Sequence, residues 1–207
     1  YGTDQVAKVD KVVGPGNAFV AEAKLQVAAQ GLVGIDAMAG VTEVMLIADD
    51  SADPRLVATS LIAQAEHDPL VTSSLVTPSA ALADAVVPLV AEEVEGLASR
   101  DRLLEALSGQ GAIVLVDDID HAIAVADDFA PEHLEIQTRD ARGVADRVRA
   151  AGTIFVGVQT PTALGDYCAG PNHTLPTGGT ARFTGGLRTD DFMVPINWVE
   201  FSDDALI

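Results

Sequence analysis

The sequence predicts an α/β fold with a largely parallel β-sheet. Short aliphatic segments alternate with amphipathic stretches of helical length, which is the pattern of consecutive strand–helix units. The chain has 207 residues, of which 48% are hydrophobic and only 4% aromatic. A chain of this length can bury a sizeable core, and this core must consist mainly of alanine, valine, leucine and isoleucine.

Five predicted strands alternate with helices as far as residue 157. The strands are the aliphatic segments 41–48, 73–77, 112–116, 134–137 and 153–157. The helices cover 18–29, 80–97, 100–107, 119–129 and 140–150. A further helix begins at the Asp53–Pro54 pair, a favourable N-cap followed by a first-turn proline. Its predicted buried face carries Leu56, Val57, Ser60, Leu61 and Ala65. Residues 159–186 are rich in Gly, Pro and Thr, and long segments of this kind are often functional.

The charge of the chain is strongly acidic. It has 31 Asp and Glu residues against 12 Lys and Arg, a net charge of −19. This balance argues against nucleic-acid partners, which need a basic surface, although helix N-termini and backbone amides can still hold the phosphates of a dinucleotide. The single Cys168 excludes an internal disulfide and fits a reducing compartment. No apolar run reaches the roughly 18 residues of a membrane span, so we expect a cytoplasmic protein without membrane association.

Three of the four histidines lie in polar, turn-like segments: QAEH at 64–67, APEH at 130–133 and GPNH at 170–173. Gln64 and His67 are three positions apart near the end of a predicted helix and could reach one metal ion. A structural histidine in the last helical turn is the alternative. Glu132 and His133 are residue types that serve as bases in proton transfer. Their alternative is a turn before a strand, with both side chains in solvent.

Other polar residues have both a chemical and a structural interpretation. Asp166 in the long loop is a candidate oxygen ligand for a metal, or the first residue of an Asx turn. Cys168 is a candidate nucleophile, as in an aldehyde dehydrogenase, or an incidental thiol. Asn17, which ends the segment GPGN, is a candidate nucleotide contact or a plain N-cap. His121 follows several aspartates and is expected to lie in solvent.

Taken in order, several segments resemble the histidinol dehydrogenase family along essentially the whole chain. They are GPGNAFVAEAK, GIDAMAGVTEV, LIAQAEHD, FAPEHLEIQT and LGDYCAGPNHTLPT followed by GGTARFTGGL. Residues 35–67 resemble the family signature, with Val41 in place of the usual proline and Thr59–Ser60 in place of a small and an acidic residue. The family's N-terminal portion and C-terminal tail have no counterpart here. We therefore expect the chain to be a fragment covering the middle to late part of the enzyme.

The resemblance implies a zinc-dependent NAD oxidoreductase of histidine biosynthesis, which converts L-histidinol through histidinal to L-histidine. It also implies that the chain forms part of the aldehyde-dehydrogenase-like fold, which consists of Rossmann-like lobes. Residues 1–40 would end one lobe, 41–187 would form half of the second, and 188–207 would begin the tail. The complete protein would be a homodimer with swapped C-terminal tails.

The resemblance also assigns roles to individual residues. Zinc would be held by Gln64, His67 and Asp166, and catalysis would fall to Glu132 and His133. Thr42 and the three zinc ligands would contact the substrate, and Asn17 would contact NAD. Zinc would orient the imidazole and amino nitrogens of the substrate. His133 would take the alcohol proton, and Glu132 would activate the water that attacks the aldehyde. His173 lies near the site by its motif, without an assigned role.

A non-catalytic or truncated α/β module that binds a metal or a nucleotide is the alternative interpretation. Truncation at both ends favours it, whereas the presence of all five metal and catalytic positions favours the enzyme. In the family a second histidine ligand comes from the partner subunit's tail. We therefore expect the 207-residue chain alone to bind zinc weakly and to be poorly active.

Overall fold

The computed structural model describes residues 2–38, 40–167 and 169–206, without the side chains of Asp166, Asp203 and Leu206. The strands are β1 (Lys11–Val12), β2 (Gly34–Ile35), β3 (Glu43–Ala48), β4 (Thr72–Thr77), β5 (Gly111–Leu115), β6 (His133–Gln137) and β7 (Thr153–Val156). The α-helices are α1 (Ala18–Ala29), α2 (Pro54–Ala65), α3 (Ala80–Glu95), α4 (Arg100–Gln110), α5 (Ile119–Phe129) and α6 (Ala141–Ala145). Four short 3₁₀ helices follow at Thr162–Asp166, Thr180–Arg182, Thr189–Phe192 and Asp203–Leu206.

Five of the strands form one parallel sheet in the order β5-β4-β3-β6-β7. The chain starts in the centre at β3, moves outward to β5, and then crosses to β6 and β7 on the other side. This order is that of a doubly wound α/β fold and confirms the predicted class. All five predicted strands are present, with bounds that differ by one or two residues. The remaining strands, β1 and β2, pair with each other in a small parallel ribbon.

Helices cover both faces of the five-stranded sheet. Val44, Leu46 and Ala48 of β3 pack against α2 and α3 on one face. Met45 and Ile47 pack on the other face, against residues of α5 and α6. Because successive side chains of a strand point to opposite faces, β3 is buried along its whole length.

Two predictions about helices are wrong. The helix predicted over 140–150 ends at Ala145. The carboxylate of Asp127 accepts hydrogen bonds from the backbone N–H groups of Arg149 and Ala150, which therefore are not available to a helix. Leu56 is 44% exposed and does not belong to the buried face of α2. That face carries Val57, Ala58, Leu61, Ile62, Gln64 and Ala65.

The N-terminal ribbon is joined to α1 by a buried ion pair. Nζ of Lys24 lies 2.7 Å from Oδ1 of Asp36, and both side chains are less than 5% exposed. Asp36 Oδ2 accepts the backbone N–H of Gly14 at 2.7 Å. Burial alone would raise the pKa of Asp36, but the hydrogen bonds from Lys24 and Gly14 outweigh it and lower the pKa below its usual value. The pair fixes the GPGN segment against α1.

The local structure requires glycine at two positions of the GPGN segment. Gly14 has φ +120°, a conformation that L side chains rarely adopt. A Cβ at Gly16 would lie 2.5 Å from the Val20 side chain.

The C-terminal part of the described chain has little regular structure beyond 3₁₀ turns. Large apolar side chains between residues 192 and 201 are at least 63% exposed: Phe192, Met193, Val194, Ile196, Trp198, Val199 and Phe201. Within the described ranges, no helix is both long and apolar enough to cross a membrane.

Candidate active site

A cavity of about 490 Å³ brings most of the predicted site residues together. Its wall includes Thr42, Gln64, His67, Glu132 and His133. The cavity lies at the amino ends of β3 and β6, whereas ligands of open α/β sheets usually bind at the carboxyl ends. The connection between β3 and α2 explains why their residues meet in this cavity. Helix α2 runs back from the carboxyl end of β3, so its last turn reaches the amino ends of the strands.

Two buried carboxylates, Glu43 and Glu132, hold the adjacent strands β3 and β6 together at this end. The backbone N–H of Glu43 donates to Oε2 of Glu132 at 3.0 Å, and the backbone N–H of Glu132 donates to Oε2 of Glu43 at 3.2 Å. Gly178 donates its N–H to the other oxygen of Glu43 at 2.9 Å. Burial raises the pKa of Glu43, and the charge of Glu132 adds to this increase, although the two backbone donors act against it.

His133 is held by the backbone of the neighbouring strand. Its Nδ1 lies 2.9 Å from the carbonyl oxygen of Glu43. Because a carbonyl can only accept, this contact favours the tautomer with hydrogen on Nδ1 and leaves Nε2 with a free lone pair. The ring lies 6.0 Å from that of Phe155, and its Nδ1 lies 3.4 Å from Oε2 of Glu132.

The alternative in which Glu132 and His133 both lie in solvent is wrong. Each residue is only 8% exposed. The chain turns into this segment at Ala130, a buried residue with φ 55° that ends α5 in the left-handed conformation. The two side chains are thus buried at the wall of the cavity.

Thr42 connects the last turn of α2 with Glu132. Nε2 of Gln64 donates to Thr42 Oγ1 at 2.6 Å, and this hydroxyl donates in turn to Glu132 Oε2 at 2.6 Å. Oε2 therefore receives two donors, from Thr42 and from the backbone of Glu43. Oε1 of Glu132 has no hydrogen-bond donor among the described residues, which leaves it for a molecule in the cavity.

Gln64 and His67 can serve as two ligands of a metal ion. Gln64 uses its amide nitrogen for the bond to Thr42, so its carbonyl oxygen remains for a ligand. The helix ends at Ala65, and His67 follows it with its backbone N–H bonded to the carbonyl of Gln64 at 3.1 Å. Although His67 thus lies just beyond the helix, both residues line the cavity. An imidazole nitrogen is a common zinc donor, and an amide oxygen is an uncommon one.

Asp166 ends a 3₁₀ helix, and its side chain lies outside the described part of the structure. Ala163 and Tyr167, on either side of it in the chain, both line the cavity. Within the described residues, no group of three His, Cys, Asp or Glu side chains is arranged to hold a metal. The role of Asp166 as the third ligand stays a prediction.

Sequence reasoning missed the polar face of β6. His133, Glu135 and Gln137 alternate along the strand, share the face of Val44, Leu46 and Ala48 in the register, and are 8% exposed or less. Glu135 lies in the cavity wall with Ser60 and Thr162. The sequence signal for this buried polar face was the alternation of polar and apolar residues in HLEIQ. Because both faces of a parallel sheet are covered, the polar residues of a central strand are buried as well.

The remaining predicted residues have different outcomes. The side chain of Asn17 caps α1 by accepting the N–H groups of Phe19 and Val20, so the N-cap interpretation is confirmed. His121 is exposed, as expected, and lies 3.6 Å from Asp117. His173 lines the cavity. Cys168, the candidate nucleophile, lies outside the described residues.

Comparisons with known proteins show the family to which the chain belongs. A sequence model of the histidinol dehydrogenase family matches residues 1–207. The chain belongs to this family. Histidinol dehydrogenase of Thermobifida fusca is 52% identical over 207 residues, which are 100% of this chain and 47% of that protein. The chain therefore spans about half the length of the curated histidinol dehydrogenases it matches.

Solved structures confirm the fold. The crystal structure of histidinol dehydrogenase from Elizabethkingia anophelis has a TM-score of 0.87 and 36% identity, over 91% of this chain and 43% of that one. Betaine aldehyde dehydrogenase from Staphylococcus aureus has a TM-score of 0.51 at 15% identity, over 70% of this chain and 43% of that one. The second likeness concerns the fold alone, which is the predicted aldehyde-dehydrogenase-like one.

Proposed function

We propose that the protein is a histidinol dehydrogenase, which oxidises L-histidinol through histidinal to L-histidine in histidine biosynthesis. The observation that carries the proposal is the placement of Glu132 and His133 in one cavity with Gln64 and His67. This places two candidate bases beside two candidate metal ligands, which is what a bound amino alcohol needs for oxidation. The proposed substrate is inferred from the family to which the chain belongs.

In the first oxidation His133 acts as the base. Its free Nε2 takes the proton of the substrate hydroxyl as a hydride leaves the carbinol carbon, and the C–O bond becomes the carbonyl of histidinal. Nδ1 stays bonded to the carbonyl of Glu43, which fixes the orientation of the ring. The Glu132 carboxylate, 3.4 Å from Nδ1, faces the ring that takes up the proton.

In the second oxidation Glu132 acts on water. Its free Oε1 takes a proton from the water whose oxygen adds to the aldehyde carbon, and the hydrate then loses a second hydride to give the acid. Oε2 stays anchored by Thr42 and the backbone of Glu43, so the carboxylate keeps its orientation. Anchoring one oxygen and leaving the other free suits a general base.

The proposed cofactors are Zn²⁺ and NAD. Gln64, His67 and Asp166 would hold Zn²⁺, which would orient the imidazole and amino nitrogens of the substrate. NAD would supply the hydride acceptor for each of the two oxidations. Asn17 uses Oδ1 to cap α1, which leaves its Nδ2 group for the proposed contact to NAD. Thr42 retains one lone pair for the proposed substrate contact.

We further propose that the protein acts as a homodimer in the cytoplasm. The exposed apolar side chains between residues 192 and 201 support the dimer, because a contiguous apolar segment of this kind is usually covered by another protein surface. The net charge of −19 supports the expectation that nucleic acid is not a partner.

The test is the stoichiometry of the reaction. The protein as its gene encodes it is incubated with zinc, NAD and limiting L-histidinol, and NADH is followed by absorbance. Two NADH per substrate, with L-histidine as the product, are expected. One NADH with histidinal as the product, or no reaction, would contradict the proposal.

A further inference from the structure

Glu135 is a buried carboxylate to which the proposed reaction assigns no role. It is 1% exposed, although it lies in the middle of a strand whose neighbours in the register, Leu46 and Phe155, are apolar. Both of its oxygens accept hydrogen bonds. Ser60 and Gln137 donate to Oε1, and Thr162 donates to Oε2 through its hydroxyl at 3.0 Å and its backbone N–H at 3.4 Å.

All of these donors are neutral, and no basic side chain forms an ion pair with Glu135 within the described ranges. Burying a carboxylate without a cation is costly, and several neutral hydrogen bonds offset only part of the cost. An apolar side chain would fill this position in the sheet at lower cost. The carboxylate therefore serves a purpose other than the stability of the strand.

The positions of the donors indicate that purpose. Ser60 lies on α2 four residues before Gln64, which is one helical turn. Thr162 is the first residue of the 3₁₀ helix that ends at Asp166. Glu135 itself follows His133 by two residues on the same face of β6. One carboxylate thus connects α2, the Thr162–Asp166 turn and the strand that carries the proposed base.

We propose that Glu135 is a positioning residue, which fixes α2 and the Thr162–Asp166 turn against β6 and so sets the distance between the proposed zinc ligands. This inference rests on the proposed function. Thr162 belongs to the segment rich in Gly, Pro and Thr, and the described residues of that segment form no strand or α-helix that would hold it in place. The hydrogen bonds from Thr162 to Glu135 hold this part of the segment in place instead.

The test compares the zinc affinity of four proteins in the form that the gene encodes: the wild type, Glu135→Gln, Thr162→Val and Thr160→Val. Glu135→Gln replaces one carboxylate oxygen, which accepts hydrogen bonds, by an NH₂ group. This group would face the hydrogen-bond donors that surround Glu135. Thr162→Val keeps the shape of the side chain and removes one hydroxyl. Thr160→Val makes the same change two residues away, at a side chain outside the cavity wall. Zinc affinity is measured by competition with a chromophoric chelator, and the ligand geometry by the d–d absorption of Co²⁺.

We expect Glu135→Gln to weaken zinc binding by about tenfold or more, the lower end of the effect of residues that orient metal ligands. Thr162→Val is expected to weaken it severalfold, and Thr160→Val to leave it unchanged. The Co²⁺ absorption of Glu135→Gln is expected to differ from that of the wild type. Thermal unfolding of the metal-free proteins shows whether each variant folds, and if Glu135→Gln does not, Thr162→Val decides.

Wild-type zinc affinity and an unchanged Co²⁺ spectrum in folded Glu135→Gln, or in Thr162→Val, would overturn the positioning role and leave the proposed function intact. A loss of histidinol oxidation with normal zinc binding would overturn it as well, because it would indicate direct contact with the substrate. A wild-type protein that binds no zinc would overturn both proposals.

Discussion

Glu43 and Glu132 each accept the backbone N–H of the other, so that two buried carboxylates join the amino ends of β3 and β6. The arrangement places two carboxyl groups close together, and each accepts a backbone N–H that the opposite strand supplies. It also orients the candidate site, because the carbonyl of Glu43 binds Nδ1 of His133. A change at Glu43 should therefore affect both stability and the site.

The first prediction concerns the pH dependence of stability. Burial raises the pKa of Glu43 above its usual value of 4.5. A raised folded-state pKa means that protonated Glu43 contributes stability fully below pH 4.5, and that this contribution is lost as the pH rises through the folded-state pKa. Glu43→Gln cannot ionise. We expect the wild type to lose stability relative to Glu43→Gln as the pH rises above 4.5, as measured by urea unfolding at several pH values. Parallel stability curves for the two proteins would contradict this.

The second prediction concerns the hydroxyl of Thr42. Thr42→Val removes the link between Gln64 and Glu132 and leaves the Glu132 carboxylate with one donor fewer. A hydrogen bond to a charged group is worth about 1.5–3 kcal/mol, so we expect a loss of stability of this size and a lower kcat for histidinol. Thr72→Val is the control, since Thr72 lies beside Thr42 at the start of β4 and donates its backbone N–H to the Thr42 carbonyl. Equal effects of both variants would show that the link is unimportant.

The third prediction concerns the ion pair of Lys24 and Asp36. Asp36→Asn leaves a buried ammonium without its counter-charge, which we expect to destabilise the protein by about 3–5 kcal/mol. Asp191→Asn is the matched control, because the pair of Asp191 with Lys11 is partly exposed and its atoms are 3.6 Å apart. Such a pair contributes about 0–1 kcal/mol. The comparison is made by chemical unfolding at neutral pH, and similar losses in both variants would refute the interpretation.

The fourth prediction concerns the metal. His67→Ala should reduce the zinc content of the purified protein to a small fraction, since it removes the nitrogen ligand of the proposed set. His121→Ala changes an exposed histidine outside the cavity wall and should leave the zinc content unchanged. Elemental analysis after dialysis measures both. Full zinc content in His67→Ala would remove this residue from the ligand set.

The elements of the fold were largely predictable because their signals are local. The Asp53–Pro54 start of α2 depends on the side chain of Asp53, which accepts the N–H of Arg55 two residues on. Asn17 caps α1 in the same way. The end of α6 was not predictable, since it depends on Asp127, which is 22 residues from Arg149 in sequence.

The site was predictable in its residue types but not in its connections. Gln64, His67, Glu132 and His133 lie in two short polar segments, and the family resemblance gives their predicted roles. Glu43 and Glu135 are acidic residues in strands, and the residues that hydrogen-bond to them lie far away in sequence. The bond from Glu132 to Glu43 spans 89 residues, and the bond from Ser60 to Glu135 spans 75. No local pattern reports such contacts.

The proposed division of roles between Glu132 and His133 is most directly tested with Glu132→Gln, assayed separately on L-histidinol and on added histidinal. The variant retains a side chain of the same size, and its zinc content serves as the control. We predict that the first hydride transfer from histidinol, measured in a single turnover, is slowed far less than the oxidation of histidinal, with zinc unchanged. An equal decrease in both steps, or a loss of zinc, would contradict the assignment of Glu132 as the base that activates water.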